Sequence, residues 1–245
     1  MSAEPGQTDH AGLAALAERF LGLAKDEPGF VVAVTGSVAS GKTTLAERLA
    51  AQMGRERSVE TVSTDGFLFP NATLDERGLM MRKGFPETYD RAAMAEAIAA
   101  LRAGEAAFPV HSHVIYDIDP ALTRTLSRPD ILILEGLGFS PLSKRERGPG
   151  EPDVLVYLDA AQADIEHWFL TRFMGFWHAA EHDPTSFYAQ FRHMSVPEAE
   201  AFAMQVWETI NLPNLKNHIE PLREYADIVL NKARDHTVSL VADRL

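Results

Sequence analysis

The sequence predicts an α/β fold in which a mostly parallel sheet is flanked by helices in three layers. Two observations predict it: short apolar runs alternate with helical stretches along the chain, and runs such as 131–134 and 154–158 are apolar at four or more consecutive positions. Continuous runs of that kind suit strands covered on both faces, as parallel sheets require. The chain has 245 residues, 46% of them hydrophobic, enough to bury a sizeable core.

The elements follow in order. Residues 11–25 repeat apolar positions at helical spacing until Pro28-Gly29, so residues 1–29 read as an N-terminal helical extension and 30–245 as a single domain. Phe30 to Val34 reads as a strand, Lys42 to about Met53 as a helix and Val59 to Ser63 as a second strand. The segment from Phe67 to Asp90 has weak periodicity but is dense in Arg, Lys, Gly and aromatic residues, the composition of a functional connection. A helix over 91–102 precedes apolar strands at 131–134 and 154–158, with a charged loop at 144–152 between them. Residues 163–215 read as mostly helical and rich in aromatics, interrupted near Pro184 and Pro197. A short strand at 228–230 and a closing helix from His236 to Leu245 complete the prediction.

Composition excludes several classes of function. With no cysteine, the chain has neither a disulfide framework nor a thiolate metal site. A net charge of −12 argues against a nucleic-acid partner, because that affinity comes largely from clustered Lys and Arg. No apolar run approaches the ~20 residues of a membrane span, and the first ten residues lack the pattern of a secretory signal, so a cytoplasmic location is expected.

Gly36, Ser37, Val38, Ala39, Ser40, Gly41, Lys42 and Thr43, followed by Thr44, satisfy the G-x-x-x-x-G-K-[ST] pattern between a predicted strand and a predicted helix. Backbone N–H groups of such a loop wrap phosphates at a helix N-terminus. Lys42 places a point charge at the β- and γ-phosphates, and Thr43 offers a hydroxyl to Mg²⁺. ATP and Mg²⁺ are therefore the expected cofactors, with Glu135, which ends an apolar strand, as the second metal-side residue. Asp65 follows the second strand, at the sheet edge where open α/β folds place ligands. There it suits a general base for an attacking hydroxyl, against the blander reading of Asp65-Gly66 as a turn. Arg77, Arg82, Lys83 and Arg172 are candidates for neutralising the transferring phosphoryl group. His111 and His113 lack a third metal ligand at recognisable spacing and suit substrate hydrogen bonding better. Phe169, Phe173, Phe176 and Trp177 recur at helical spacing, more often the mark of a core than of a pocket.

The sequence resembles the prokaryotic type I pantothenate kinases, which carry the P-loop NTPase fold. The likeness spans about Phe30 to the C-terminus, through residues 36–44 (GSVASGKTT), 64–71 (TDGFLFPN), 76–90 (ERGLMMRKGFPETYD), 112–117 (SHVIYD), 129–137 (PDILILEGL) and 210–222 (INLPNLKNHIEPL). It implies ATP-dependent phosphorylation of the pantothenate 4′-hydroxyl, the first step of coenzyme A synthesis. It also implies Asp65 as the base, Lys42 and Thr43 on ATP and Mg²⁺, and Lys83 and Arg172 as cations near the phosphates. His113, Tyr116 and Asn211 match positions lining the pantothenate or coenzyme A site, and Phe173, Phe176 and Tyr188 lie near an apolar pocket in a helical, aromatic-rich substrate lid. A homodimer and inhibition by coenzyme A are further expectations of the resemblance.

The chain departs from the family pattern at three places. His111 and Phe169 stand where the family has Tyr, and Glu47 stands where it has a basic residue associated with coenzyme A phosphates, which predicts weak feedback. These departures keep two alternatives open: a kinase of another small alcohol, such as a nucleoside or sugar, and a nucleotide- or coenzyme A-binding regulator without transfer activity.

Overall fold

The structure, a computed structural model, describes residues 7–245 and the side chains from Gly12 onward. Its first elements are α1 (Gln7–Leu23), β1 (Phe30–Gly36), α2 (Lys42–Met53) and β2 (Val59–Ser63). Next come α3 (Asn71–Glu76), α4 (Arg91–Ala103), β3 (Glu105–Phe108), β4 (His111–Ser112), β5 (Asp117–Ile118) and β6 (Arg124–Ser127). The chain then forms β7 (Ile131–Glu135), β8 (Val154–Ala160), α5 (Gln162–Ala179), α6 (Val196–Val206), α7 (Leu212–Asn214), α8 (Leu222–Tyr225), β9 (Ile228–Lys232) and β10 (Val238–Asp243).

Six strands form one sheet in the order β10-β9-β8-β1-β7-β2. β1 pairs in parallel with β7 and β8, β2 with β7, and β9 with β8; only β10 runs antiparallel. The alternation of side chains across a strand then sorts β1 between two cores. Val31 and Ala33 face a layer that includes Met94, Ile98 and Leu101 of α4 and the aromatic residues of α5. Phe30, Val32 and Val34 face the opposite layer, with Leu45, Leu49 and Met53 of α2 and Leu13, Leu16 and Phe20 of α1. Both faces of the strand are covered, so it carries no polar alternation.

Three features depart from the sequence reading. The expected closing helix over His236–Leu245 is instead β10, a six-residue edge strand with a register irregularity between Leu240 and Ala242. Its Val238-Ser239-Leu240-Val241 run alternates weakly, and pairing with β9 satisfies backbone groups that so short a helix would leave open. The segment 67–90 is not featureless, because α3 and two single 3-10 turns, Met80–Arg82 and Pro86–Thr88, fold it back on itself. The region 105–127, in which only the two histidines suggested extended chain, contains two small antiparallel pairs, β3 with β6 and β4 with β5.

Helix α1 packs on the layer of α2. Phe20 is fully buried, and Ala17 and Leu13 nearly so, against the layer of α2. Residues 1–6 of the expected extension lie outside the described residues. Among those described, no helix is long and apolar enough to cross a membrane.

Candidate active site

The site forms at the C-terminal edge of the parallel strands. β1 runs directly into the phosphate loop at Gly36, whose φ is +147° and where a Cβ would come within 2.3 Å of the Leu158 carbonyl oxygen. Only glycine lets the chain turn there against β8. Ala39 at φ 59° and Gly41 at φ 94° curl the loop before α2 begins at Lys42. The hydroxyls of Ser37 and Ser40 are buried with no hydrogen-bond partner among the described residues. Buried hydroxyls in a loop that opens a helix fit a phosphate chain, which supplies the missing acceptors.

Lys42 Nζ donates to the Ser37 carbonyl at 2.8 Å. Burial pushes its pKa down, partly offset by the negative charges of Glu135 and Asp65, while the Arg172 guanidinium pushes the same way as burial. These influences put Lys42, Glu135, Asp65 and Arg172 in one electrostatic neighbourhood. Arg172 itself is exposed on α5, its guanidinium carbon 5.4 Å from the centre of the Phe176 ring.

Thr43 Oγ1 donates to Glu135 Oε1 at 3.1 Å. Parallel pairing sets Glu135 opposite Val34 on one side and Ser63 on the other, so strand register delivers it to the loop. Burial raises the Glu135 pKa, against the lowering by Lys42. A hydroxyl and a carboxylate beside a phosphate loop are hard oxygen donors, a set that fits Mg²⁺.

Asp65 lies in a 3-10 turn, Thr64–Phe67, directly after β2, where its backbone N–H donates to Ser63 Oγ at 3.3 Å. Two close approaches hold that turn. A Cβ on Gly66 would come within 1.8 Å of the Pro109 carbonyl oxygen, and one on Gly136 within 2.0 Å of Thr64 Oγ1. Thr64 Oγ1 also accepts from the Leu137 N–H at 2.9 Å, which fastens the end of β2 to the end of β7. Asp65 Oδ1 accepts a hydrogen bond from the Tyr89 hydroxyl at 3.0 Å.

A second group surrounds Lys83. Its ammonium donates to Asn71 Oδ1 at 2.7 Å and to the Tyr116 carbonyl at 2.6 Å, and it lies 4.2 Å from the centre of the Tyr116 ring. Burial pushes its pKa down to about 8, while Asp117 and Asp65 pull the other way. Tyr116 adopts φ +55° and stacks on Phe187 with ring centroids 4.1 Å apart. Its hydroxyl is pushed up to about 12, first by burial.

His111 packs edge-on against both His113 and Tyr116, each at 5.6 Å. Neither of its ring nitrogens has a hydrogen-bond partner among the described residues. Burial and then the Lys83 charge lower its pKa to about 4, which leaves a neutral ring near pH 7. Among the described residues no group of three or more His, Cys, Asp or Glu is placed to hold a metal.

The other expected residues divide. Phe173 is buried, and with Phe176 it packs on Tyr188 in an aromatic cluster that extends to Phe191 and Phe202. Phe169 is buried against Trp207 and Phe173. Asn211 ends a π-helical turn, Trp207–Asn211, yet it is Asn214 whose amide donates to the Gly84 carbonyl at 2.9 Å, next to Lys83. Arg82 is held by Glu87 and stacks on Phe85, and Arg77 stacks on Phe69. These two cations are tied to local partners, apart from the Lys42 neighbourhood.

Several residues at the site carried no signal that singled them out. Tyr89 reads as the residue before the Asp90 helix cap, and Asn71 as a turn residue after Pro70. Lys232 closes the last parallel strand, and its Nζ donates to the Ser40 carbonyl at 2.8 Å while lying 4.2 Å from the Trp168 ring centre. Trp168 in turn stacks on His236 at 5.3 Å. A flat aromatic pair beside the phosphate loop is visible only after β9 and α5 are brought together.

Comparison with known proteins agrees with this geometry. The Phosphoribulokinase / Uridine kinase family matches residues 31–172. A pantothenate kinase from Streptococcus pneumoniae serotype 2 is 41% identical over 220 residues, covering 87% of this chain and 72% of that protein. Among solved structures, a D-glycerate 3-kinase from Cryptococcus neoformans aligns with a TM-score of 0.57 at 14% identity, covering 96% of this chain and 100% of that one. A chain from Silicibacter sp. TM1040, named for a fructose transport system kinase, aligns with a TM-score of 0.64 at 22% identity over 87% of this chain and 95% of its own. These two likenesses carry the fold alone. The phosphate loop, the strand-end carboxylates and 41% identity across most of the chain lead to one conclusion: the chain belongs to the Phosphoribulokinase / Uridine kinase family and, within it, to the pantothenate kinases.

Proposed function

We propose that this chain transfers the γ-phosphoryl group of ATP to the 4′-hydroxyl of pantothenate, with Asp65 as the general base. The observation that carries the reading is the convergence of Lys42, Thr43, Glu135 and Asp65 at one sheet edge. In this reading the acceptor oxygen forms a bond to the γ-phosphorus and its proton passes to the Asp65 carboxylate. The bond to the β,γ-bridging oxygen breaks, and the electron pair leaves with ADP.

Lys42 and the loop N–H groups hold the phosphates, and Arg172 adds positive charge from α5. Thr43 and Glu135 would hold Mg²⁺, which when bound supplies charge neutralisation across the β- and γ-phosphates. Lys83, His113, Tyr116 and Asn211 form the acceptor side, with Phe173 and Phe176 as its apolar wall.

His111 favours a second reading, a kinase of a different small alcohol. Its two unpartnered ring nitrogens replace the phenol expected there, so the acceptor meets other hydrogen-bonding chemistry. Coenzyme A is a weak inhibitor in either case, because Glu47 presents a carboxylate on the exposed side of α2 where a cation would be needed.

A coupled ADP-release assay across pantothenate, uridine, D-glycerate and simple sugars, with coenzyme A as a test inhibitor, decides among these readings. Turnover with pantothenate that Asp65→Ala abolishes, with ATP binding retained, supports the first. Turnover only with another alcohol supports the second, and no acceptor-stimulated release would overturn the assignment of a kinase.

A further inference from the structure

Asp65 is only partly buried, so an unrestrained carboxylate there would sample several rotamers. A general base works when one oxygen is held in line with the proton it takes, and misplacement by ~1 Å is costly. The side chain that restrains it belongs to Tyr89, whose hydroxyl donates to Oδ1 at 3.0 Å.

Tyr89 is itself firmly placed. It is 4% exposed, and Leu68 and Tyr89 form an antiparallel bridge. The adjacent Asp90 N–H donates to the Phe67 carbonyl at 2.7 Å. One link reaches Phe67, the last residue of the 3-10 turn that carries Asp65, and the other Leu68 directly after it, so phenol and carboxylate are tied to one stretch of backbone. Across the ring lies Gly138 at φ +84°, where a Cβ would come within 2.8 Å of Tyr89 Cγ. The ring therefore lies against the Gly138 backbone, in space that any side chain at position 138 would occupy. Burial, with the negative charges of Asp65 and Glu135, keeps the phenol protonated and hence a donor.

We propose that Tyr89 is a positioning residue for proton abstraction: it holds Asp65 Oδ1 and leaves Oδ2 to receive the acceptor's proton. The proposal rests on the reading of Asp65 as the base. It assigns a function to a tyrosine that would otherwise be a core residue with a satisfied hydroxyl.

The test is Tyr89→Phe in the full chain, which keeps the ring and removes only the donor. Steady-state kinetics should show kcat reduced about tenfold to a hundredfold, the scale of a lost hydrogen bond to a charged group. KM for ATP and for pantothenate should stay within about twofold. In an Asp65→Asn background, where residual turnover is followed with labelled ATP, adding Tyr89→Phe should cost nothing further. An unchanged kcat in the single variant, a KM effect with kcat intact, or an equal further loss in the Asp65→Asn background would each overturn the positioning function. Near-normal turnover of Asp65→Asn alone would instead overturn the base assignment, whatever Tyr89→Phe does.

Discussion

Asn71 and Lys83 form a joint between two otherwise separate loops: Asn71 Oδ1 accepts from Lys83 Nζ at 2.7 Å, while Asn71 Nδ2 donates to the Tyr116 carbonyl at 3.0 Å. The Asn71 backbone N–H also donates to Asp117 Oδ1 at 3.0 Å. One amide thus connects the cation to the β4–β5 turn and supports the αL conformation of Tyr116, an uncommon one for a bulky residue.

The first prediction concerns the charge in that joint. Lys83 has a folded pKa of about 8, below its ordinary 10.5. Its cation is present below about pH 8 and lost above it, so kcat/KM for the acceptor pantothenate, on whose side Lys83 lies, should fall as pH rises through that value. Lys83→Arg should remove this alkaline limb, because a guanidinium stays charged. The sign for stability is opposite. Between about pH 8 and 10.5 the unfolded chain holds a proton that the folded chain lacks, so the Lys83 contribution to stability rises with pH over that window. Urea melts of wild type and Lys83→Met across the same range check it.

The second concerns the turn that aims Asp65. Gly66→Ala drives a methyl group into the Pro109 carbonyl, 1.8 Å away without movement. The expected result is a loss of about 2–4 kcal/mol in stability, with kcat falling more than ATP affinity. Thermal melting and nucleotide titration read the two effects separately.

A third prediction lies far from the chemistry. Arg147 and Asp227 form a buried ion pair at 2.6 Å, the two side chains only 8% and 7% exposed. The same Asp227 oxygen accepts from the Leu155 N–H at 2.7 Å. Arg147→Ala leaves a buried carboxylate without its cation and should cost about 3–5 kcal/mol. Chemical denaturation measures it, and Arg147→Ala/Asp227→Asn should recover part of the loss.

A fourth tests whether α1 is part of the folded unit. Phe20 is fully buried among α1 and α2 side chains, so Phe20→Ala should destabilise the whole chain by about 3–5 kcal/mol in a single transition. A transition confined to α1, with the kinase site melting as in wild type, would show that the helix is separable.

By itself the sequence determined the central strands, the phosphate loop and the candidate base. Each rests on neighbours in the chain: β1, β7 and β8 on continuous apolar runs, the loop on glycines at fixed spacing, and Asp65 on its place just after β2. Local steric and solvation rules act over a few residues, and those can be read in order. Tertiary structure decided what depends on distant segments meeting. Tyr89 reached Asp65 across 24 positions, Lys232 reached Ser40 across 192, and Arg147 found Asp227 across 80. It also decided the end of the chain, where pairing with β9 turned an expected helix into β10. A hydrogen bond between remote residues leaves no periodic trace in either one's surroundings, so only the folded backbone shows which partner each residue has.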